Sequence, residues 1–120
     1  MDHETRTLVA GRLLAAYESR EPLEPLTSTY EGMTLEDSYA IQLLQIEQRL
    51  AAGRTVQGHK VGLTSAAMQR LLGVTDPDYG HLLDDFFHLE HMPIPVGTFL
   101  QPRVEPEIAF VLKHDLAGPG

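Results

Sequence analysis

The chain has no cysteine among its 120 residues, which removes disulfides, thiolate metal sites and cysteine nucleophiles from consideration. Positive charge is scarce as well. Nine Lys and Arg stand against 17 Asp and Glu, a net charge of −8, and no basic run occurs anywhere. Nucleic-acid backbones and anionic membranes both reward clustered Lys and Arg, so neither is an expected partner. No stretch approaches the roughly 20 apolar residues of a membrane span. The opening run MDHETRTLVAGRLLAAYESREP does not read as a secretory leader, because Asp2 and Glu4 come early and Arg12 breaks the apolar segment. The expectation is a soluble, cytoplasmic chain.

The length fits one domain, and 42% hydrophobic residues allow a modest core. Residues 4 to 18 carry Leu8, Leu13, Leu14 and Tyr17 at roughly helical spacing. EPLEPLTS then brings two prolines and no periodicity, a connection. The strongest helix signal begins at Thr34, where Thr34 and Asp37 have the spacing of a cap. Leu35, Tyr39, Leu43, Ile46 and Leu50 follow as one apolar stripe, and Gly53 is a good stop. Val56 and Val61 indicate a strand in TVQGHKVGLTS, weakened by Gly58 and Gly62, which allow unusual backbone angles. Ser65 is placed to cap a short helix, AAMQRLLG, ending at Gly73. VTDPDYGH is turn-like, LLDDFF is a short apolar run split by two acids, and MPIPVGTF is extended.

The last segment, QPRVEPEIAFVL at 101–112, reads as a strand with Arg103, Glu105 and Glu107 on one face and Val104, Ile108, Phe110 and Leu112 on the other. Pro106 cannot donate to a ladder, so an edge or a bulge is expected. The chain ends in a turn directly after this strand and offers few others to pair with it, which points to an incomplete domain.

Three groups of residues have chemistry in reach. Glu105 and Glu107, two apart on a strand, sit ~7 Å apart along the chain, from where long side chains can meet on one ion. Carboxylates without nearby His or Cys suit Mg²⁺ or Mn²⁺ better than Zn²⁺. A solvated acidic face explains the same spacing, and a glycosidase-like acid pair is a third option. Lys60, between Gly58 and Gly62, could hold a carboxylate, move a proton or form a Schiff base; a surface lysine near a turn is the plain alternative. His59 is either a polar contact or a surface histidine. Thr64 and Ser65 could bind a substrate carboxylate at a helix start, though an ordinary cap accounts for Ser65. Among Asp76, Asp78, Asp84 and Asp85, the first two are ordinary turn chemistry, whereas the Asp84–Asp85 pair is harder to dismiss in an apolar run. The remaining histidines show no metal-ligand spacing.

Taken together and in order, GHKVGLTS, LLGVTDPDYGHLLDD and QPRVEPEIAFVLKHDLAGPG, with EPLTS and MTLEDSYAIQ…RLAAG before them, resemble the 2-keto-4-pentenoate hydratase family of the fumarylacetoacetate hydrolase superfamily. The resemblance runs from about residue 22 to the end. It implies an α+β fold: a helical region at 1–54, then at 55–120 the first part of a β-rich catalytic domain with a mixed, barrel-like sheet, the remainder lying beyond residue 120. The implied reaction adds water to 2-hydroxypenta-2,4-dienoate, giving 4-hydroxy-2-oxopentanoate through an enolate stabilised by a divalent metal, in aromatic or steroid ring breakdown. Glu105 and Glu107 match two of three metal carboxylates, with Mg²⁺ or Mn²⁺ as the cofactor; the third falls outside these residues. Lys60 matches a proton-transfer lysine, Asp78 an acid lining the site, and His59, Thr64 and Ser65 stand where substrate is bound. The expected partners are a small 2-hydroxydienoate or 2-oxo acid and further copies of the chain, with a family decarboxylase as an associate.

Two other readings stay open. A 4-oxalocrotonate decarboxylase of the same family would use the same metal chemistry; its members tend to carry an apolar residue where His59 stands. A truncated homologue could instead serve as a non-catalytic binding or assembly subunit.

Overall fold

The computed structural model describes residues 1–117. The first helix, α1, spans His3–Ser19; Asp2 caps it by accepting from the Thr5 N–H, and Arg20 ends it in the left-handed region at φ 63°. A single turn, α2 (Leu26–Thr29), interrupts the proline-rich connection. The helix α3 spans Leu35–Ala51 and starts with the full reciprocal cap: the Thr34 hydroxyl accepts from the Asp37 N–H, and the Asp37 carboxylate accepts from the Thr34 N–H. Gly53 then turns the chain with φ 90°, where a side chain would be strained.

Helices α1 and α3 pack on each other through Val9, Ala10 and Ile41, with Leu13, Leu26, Tyr30, Met33 and Leu44 around them. The helices are where the sequence places them, but their buried faces are rotated from the expected stripes. On α3 the core side is Asp37, Ile41 and Leu44, an i, i+4, i+7 row, while Leu35, Leu43 and Leu50 are exposed. On α1 the small residues Val9, Ala10 and Ala16 are buried, and Leu8 and Tyr17 point outward. Small side chains let the two backbones approach, and Leu8, Leu35, Leu43 and Leu50 are left outside the contact.

Asp37 is the buried charge of this interface, 1% exposed. Besides Thr34 it accepts from Arg6 Nε at 2.9 Å and from the Met1 ammonium at 3.1 Å. Its carboxyl is held well below the usual carboxylate range, first by the Thr34 N–H, then by Arg6 and the Met1 ammonium. A buried carboxylate with this many donors is satisfied rather than reactive.

Two strands follow, β1 (Val56–Gly62) and β2 (Asp78–Leu83), paired antiparallel in a two-stranded sheet. A short helix, α4 (Ala66–Leu72), lies in their connection, capped by the Ser65 hydroxyl and closed by Gly73 at φ 70°. The register matches Gly62 with Asp78, Lys60 with Gly80 and His59 with His81, with an irregularity between Val56 and Gly58. The segment expected to be a turn thus supplies the second strand from Asp78 onward. Gly58 and Gly62 keep ordinary extended angles, so unusual φ is not the reason for either glycine.

Successive strand residues face opposite ways. Tyr79 and His81 turn toward α3: Tyr79 stacks on Tyr39 with centroids 5.2 Å apart, and Gln42 reaches both the Tyr79 carbonyl and His81 Nδ1 at 3.3 Å. Beyond β2, Asp84 and Thr55 exchange hydrogen bonds (Asp84 N–H to the Thr55 carbonyl, Thr55 N–H to the Asp84 carboxylate), and Asp85 pairs with Arg49 of α3 and with Arg54. The two acids of LLDDFF therefore fasten the end of the hairpin to α3, and the Thr55 N–H holds the Asp84 carboxyl below its ordinary pKa.

Residues 84–86 and 96–98 form single 3₁₀ turns, the second inside the proline-rich run expected to be extended. The strand expected at 101–112 is absent as a paired element. The segment has no ladder, and Val104, Ile108 and Phe110 are 98%, 84% and 84% exposed. Its alternation suits a pleated, half-buried surface, but among the described residues its edges have no strand to pair with and its apolar face is uncovered.

Candidate functional site

The face of the hairpin turned away from α3 forms one wall of a cleft of about 640 Å³. Lys60 and Gly62 on β1 and Asp78 on β2 lie on it, the turn after β1 brings Thr64 and Ser65 to its rim, and the segment past Pro102 brings Glu105 and Glu107 across from the strands. Met68, Leu63 and Leu82 give the lining its apolar part. Six residues singled out from the sequence (Lys60, Thr64, Ser65, Asp78, Glu105 and Glu107) therefore share one concavity, although they span 48 positions, from 60 to 107.

At its centre is Lys60. Its Nζ donates to Glu107 Oε1 at 2.9 Å and lies 3.0 Å from Glu105 Oε2. Both carboxylates thus turn inward on a single positive charge, even without a ladder to align them. The hydrogen bond to Glu107, then that to Glu105, raises the Lys60 pKa above its ordinary value.

Asp78 lies against the opposite strand. A Cβ built on Gly62 would overlap the Asp78 carboxylate, so the glycine at 62 is explained by space. The turn between β1 and α4 is held by Leu63 at φ 54°, in the left-handed region that a leucine rarely enters. Gln69 Nε2 donates to the Leu63 carbonyl at 2.7 Å and fixes that turn. Nothing in the word GLTS announces a left-handed leucine, and the role of Gly62 needs the strand register, so neither was readable from local pattern. The Ser65 hydroxyl is already engaged by the Met68 N–H, whereas the Thr64 side chain has no such capping role.

His59 is not in the lining. As the neighbour of Lys60 on a strand it faces the other way, with its ring 4.8 Å from that of His81 and 6.3 Å from that of Tyr79. Partial burial and the nearby His59 push the His81 pKa down. Asp76 and the clamp residues Asp84 and Asp85 are also outside the lining.

Two carboxylates that already share one cation are the hard oxygen donors a divalent ion such as Mg²⁺ takes, so the pair suits such an ion as a partial ligand set. Among the described residues no group of three or more His, Cys, Asp or Glu is arranged to hold a metal by itself, and none of the helices is long and apolar enough to cross a membrane.

No protein-family model matches the chain. Individual proteins do. Identity is 46% over 98% of the chain with a 2-oxo-hept-4-ene-1,7-dioate hydratase of Escherichia coli, 44% over 100% with a 2-hydroxypent-2,4-dienoate hydratase of Pseudomonas putida, and 42% over 97% with a 2-keto-4-pentenoate hydratase of Paraburkholderia xenovorans strain LB400. These alignments cover 44%, 54% and 43% of the respective relatives, so the chain spans about half the length of the curated relatives it matches. Among solved structures it is similar to the 4-oxalocrotonate decarboxylase from Pseudomonas putida G7 complexed with magnesium and adipate, with a TM-score of 0.69 and 30% identity over 72% of this chain and 33% of that one. The same enzyme complexed with calcium and acetate matches equally well. Along nearly every residue, then, the chain is 42–46% identical to about half the length of proteins named as 2-keto-4-pentenoate, 2-hydroxypent-2,4-dienoate and 2-oxo-hept-4-ene-1,7-dioate hydratases.

Proposed function

We propose that the protein carrying these residues is a hydro-lyase that adds water to a short 2-hydroxydienoate of the 2-hydroxypenta-2,4-dienoate type, with the cleft as part of its active site. The observation that carries the reading is the convergence of Glu105 and Glu107 on Lys60 inside a cleft that also holds Asp78. The names of the relatives supply the substrate class. Helices 1–54 form the supporting region, residues 55–120 contribute the first part of a β-rich catalytic domain of fumarylacetoacetate hydrolase type, and the working protein is a homo-oligomer.

In this reading Glu105 and Glu107 hold a divalent cation, Mg²⁺ or Mn²⁺, and the magnesium and calcium complexes of the decarboxylase support an ion of that charge. When bound, such an ion supplies Lewis acidity toward the 2-oxygen and carboxylate of the substrate. Lys60 gives the cleft its positive charge, orients the anionic substrate and moves a proton at the dienoate carbon chain. Asp78, held over Gly62, is the second group able to exchange a proton. Thr64 offers a hydroxyl at the rim, and the apolar lining at Met68 and Leu82 receives the hydrocarbon part. His59 acts on the substrate only indirectly, through the strand it shares with Lys60.

The test is turnover of 2-hydroxypenta-2,4-dienoate by the full chain with and without added Mg²⁺, followed by loss of the dienoate absorbance and by product analysis. Formation of 4-hydroxy-2-oxopentanoate is expected. A second reading, decarboxylation, has the solved-structure likeness in its favour; release of CO₂ from 4-oxalocrotonate without hydration of the dienoate would replace the first reading with it. Borohydride inactivation in the presence of substrate, unaffected by EDTA, would instead make Lys60 a Schiff-base residue.

A further inference from the structure

The two candidate ligands already have a cationic partner. Glu105 Oε2 and Glu107 Oε1 both lie within 3.0 Å of the Lys60 ammonium. An ammonium offers three donors and no acceptor, so it can serve both carboxylates at once and relieve the repulsion between them. A divalent ion would draw on the same two carboxylates, at about 2.1 Å. Two positive centres on one carboxylate pair repel each other, so the ion binds best with the ammonium turned away. Lys60 is able to turn away. Its side chain is 43% exposed and stands on a flexible four-carbon stem, rooted in β1 on the cleft wall.

Resting on the reading of Glu105 and Glu107 as cation ligands, we propose that Lys60 is a built-in competitor for the metal position: its ammonium occupies the carboxylate pair before the ion arrives and is displaced by it. Displacement keeps the ammonium in the cleft, because its backbone is fixed by pairing with Gly80. The freed charge then meets the carboxylate of an incoming 2-oxo acid. Loading of the ion and readiness for an anionic substrate become one event, and the ordered route is ion first, substrate second.

Magnesium titration calorimetry on the full chain tests this without using activity. Lys60→Met and Lys60→Gln should both bind Mg²⁺ more tightly than wild type, by roughly tenfold, since each removes a unit positive charge next to the ligands. Unchanged or weaker affinity in variants that keep the wild-type circular dichroism overturns the proposal. Glu107→Gln separates it from its premise: near-complete loss of Mg²⁺ binding is expected there, and wild-type affinity in that variant removes the cation site and the competition with it. A measurement on unmodified protein guards against misfolded variants. The rate at which Lys60 is acetylated by a small anhydride, read by peptide mass spectrometry, should rise several-fold on saturation with Mg²⁺, and a rate that ignores Mg²⁺ overturns the proposal.

Discussion

Gly62 and Asp78 are paired residues of adjacent strands, and the carboxylate of Asp78 occupies the volume that any side chain at 62 would need. The obstructing atoms belong to the end of a side chain, so Gly62→Ala can be accommodated by turning the carboxylate away while the strands stay paired. The expected outcome is a protein whose melting temperature stays within a few degrees of wild type but whose kcat drops. Misplacing an aligned group by about 1 Å can cost on the order of 10²-fold. A fall in kcat matched by Asp78→Asn, with no further loss in the double variant, would mark the two changes as acting through the same carboxylate. Full activity of Gly62→Ala would show that Asp78 need not stand where it does.

Glu105 and Glu107 carry a prediction of their own. Glu107→Ala should abolish Mg²⁺-dependent turnover of the dienoate, and Glu105→Ala should shift the Mg²⁺ requirement upward or abolish turnover as well. Activity titrated against Mg²⁺ and Mn²⁺ checks both. A metal response unchanged in Glu107→Ala contradicts the ligand assignment, whatever happens to the rate at saturation.

Local pattern carried far where the structure is local. The cap at Thr34 and Asp37, the stop at Gly53, and the Ser65 and Gly73 ends of the short helix depend on a few adjacent residues, and all appear as read. What depends on a partner was not legible. The apolar stripe of α3 is real as spacing, yet the core formed on the Ile41 side because α1 offers small residues there. DYGHLL joins the end of the turn-like VTDPDYGH to the first residues of LLDDFF, and it is a strand because β1 lies beside it. Residues 101–112 have the alternation of a strand and no neighbour among the described residues to make one. The acids of that segment nevertheless converge as their spacing allowed, and the cation they meet is the lysine already singled out between two glycines.

Asp37 sets the acid limit of the helical region. Its carboxyl is depressed in the folded chain, so the stabilisation it gives is complete above the ordinary carboxylate pKa and is lost as the pH falls through the lowered value. Asp37→Asn removes the charge met by Arg6 and weakens the cap at Thr34. Its melting temperature near neutral pH should fall by roughly 5–10 °C, the size expected from losing a helix cap. The difference from wild type should shrink as the pH is lowered below about 4, the ordinary range of an aspartate. Thermal melts of both proteins from pH 7 downward test this. Parallel pH profiles, with the gap constant throughout, would mean that the charge on Asp37 contributes nothing.

Lys60 has two separable tasks in the proposed reaction, holding an anion and moving a proton, and substitution can divide them. Lys60→Ala removes both. Its kcat should fall by about 10²- to 10⁴-fold, the usual contribution of a positioned acid or base, while the capacity to bind Mg²⁺ persists. Arginine at the same position keeps a positive charge but does not give up its proton in a protein. If Lys60 only orients the substrate carboxylate, Lys60→Arg should recover most of the KM and much of the kcat. Should it relay the proton, Lys60→Arg should bind substrate well and still turn it over as slowly as Lys60→Ala. The second outcome is expected, because the cleft offers the Thr64 hydroxyl at its rim to help position an anion, whereas His81, the other ready proton carrier in the lining, turns its ring toward Gln42 of α3. A variant with wild-type kcat at either substitution would take Lys60 out of the chemistry and leave it only as the counter-charge of Glu105 and Glu107.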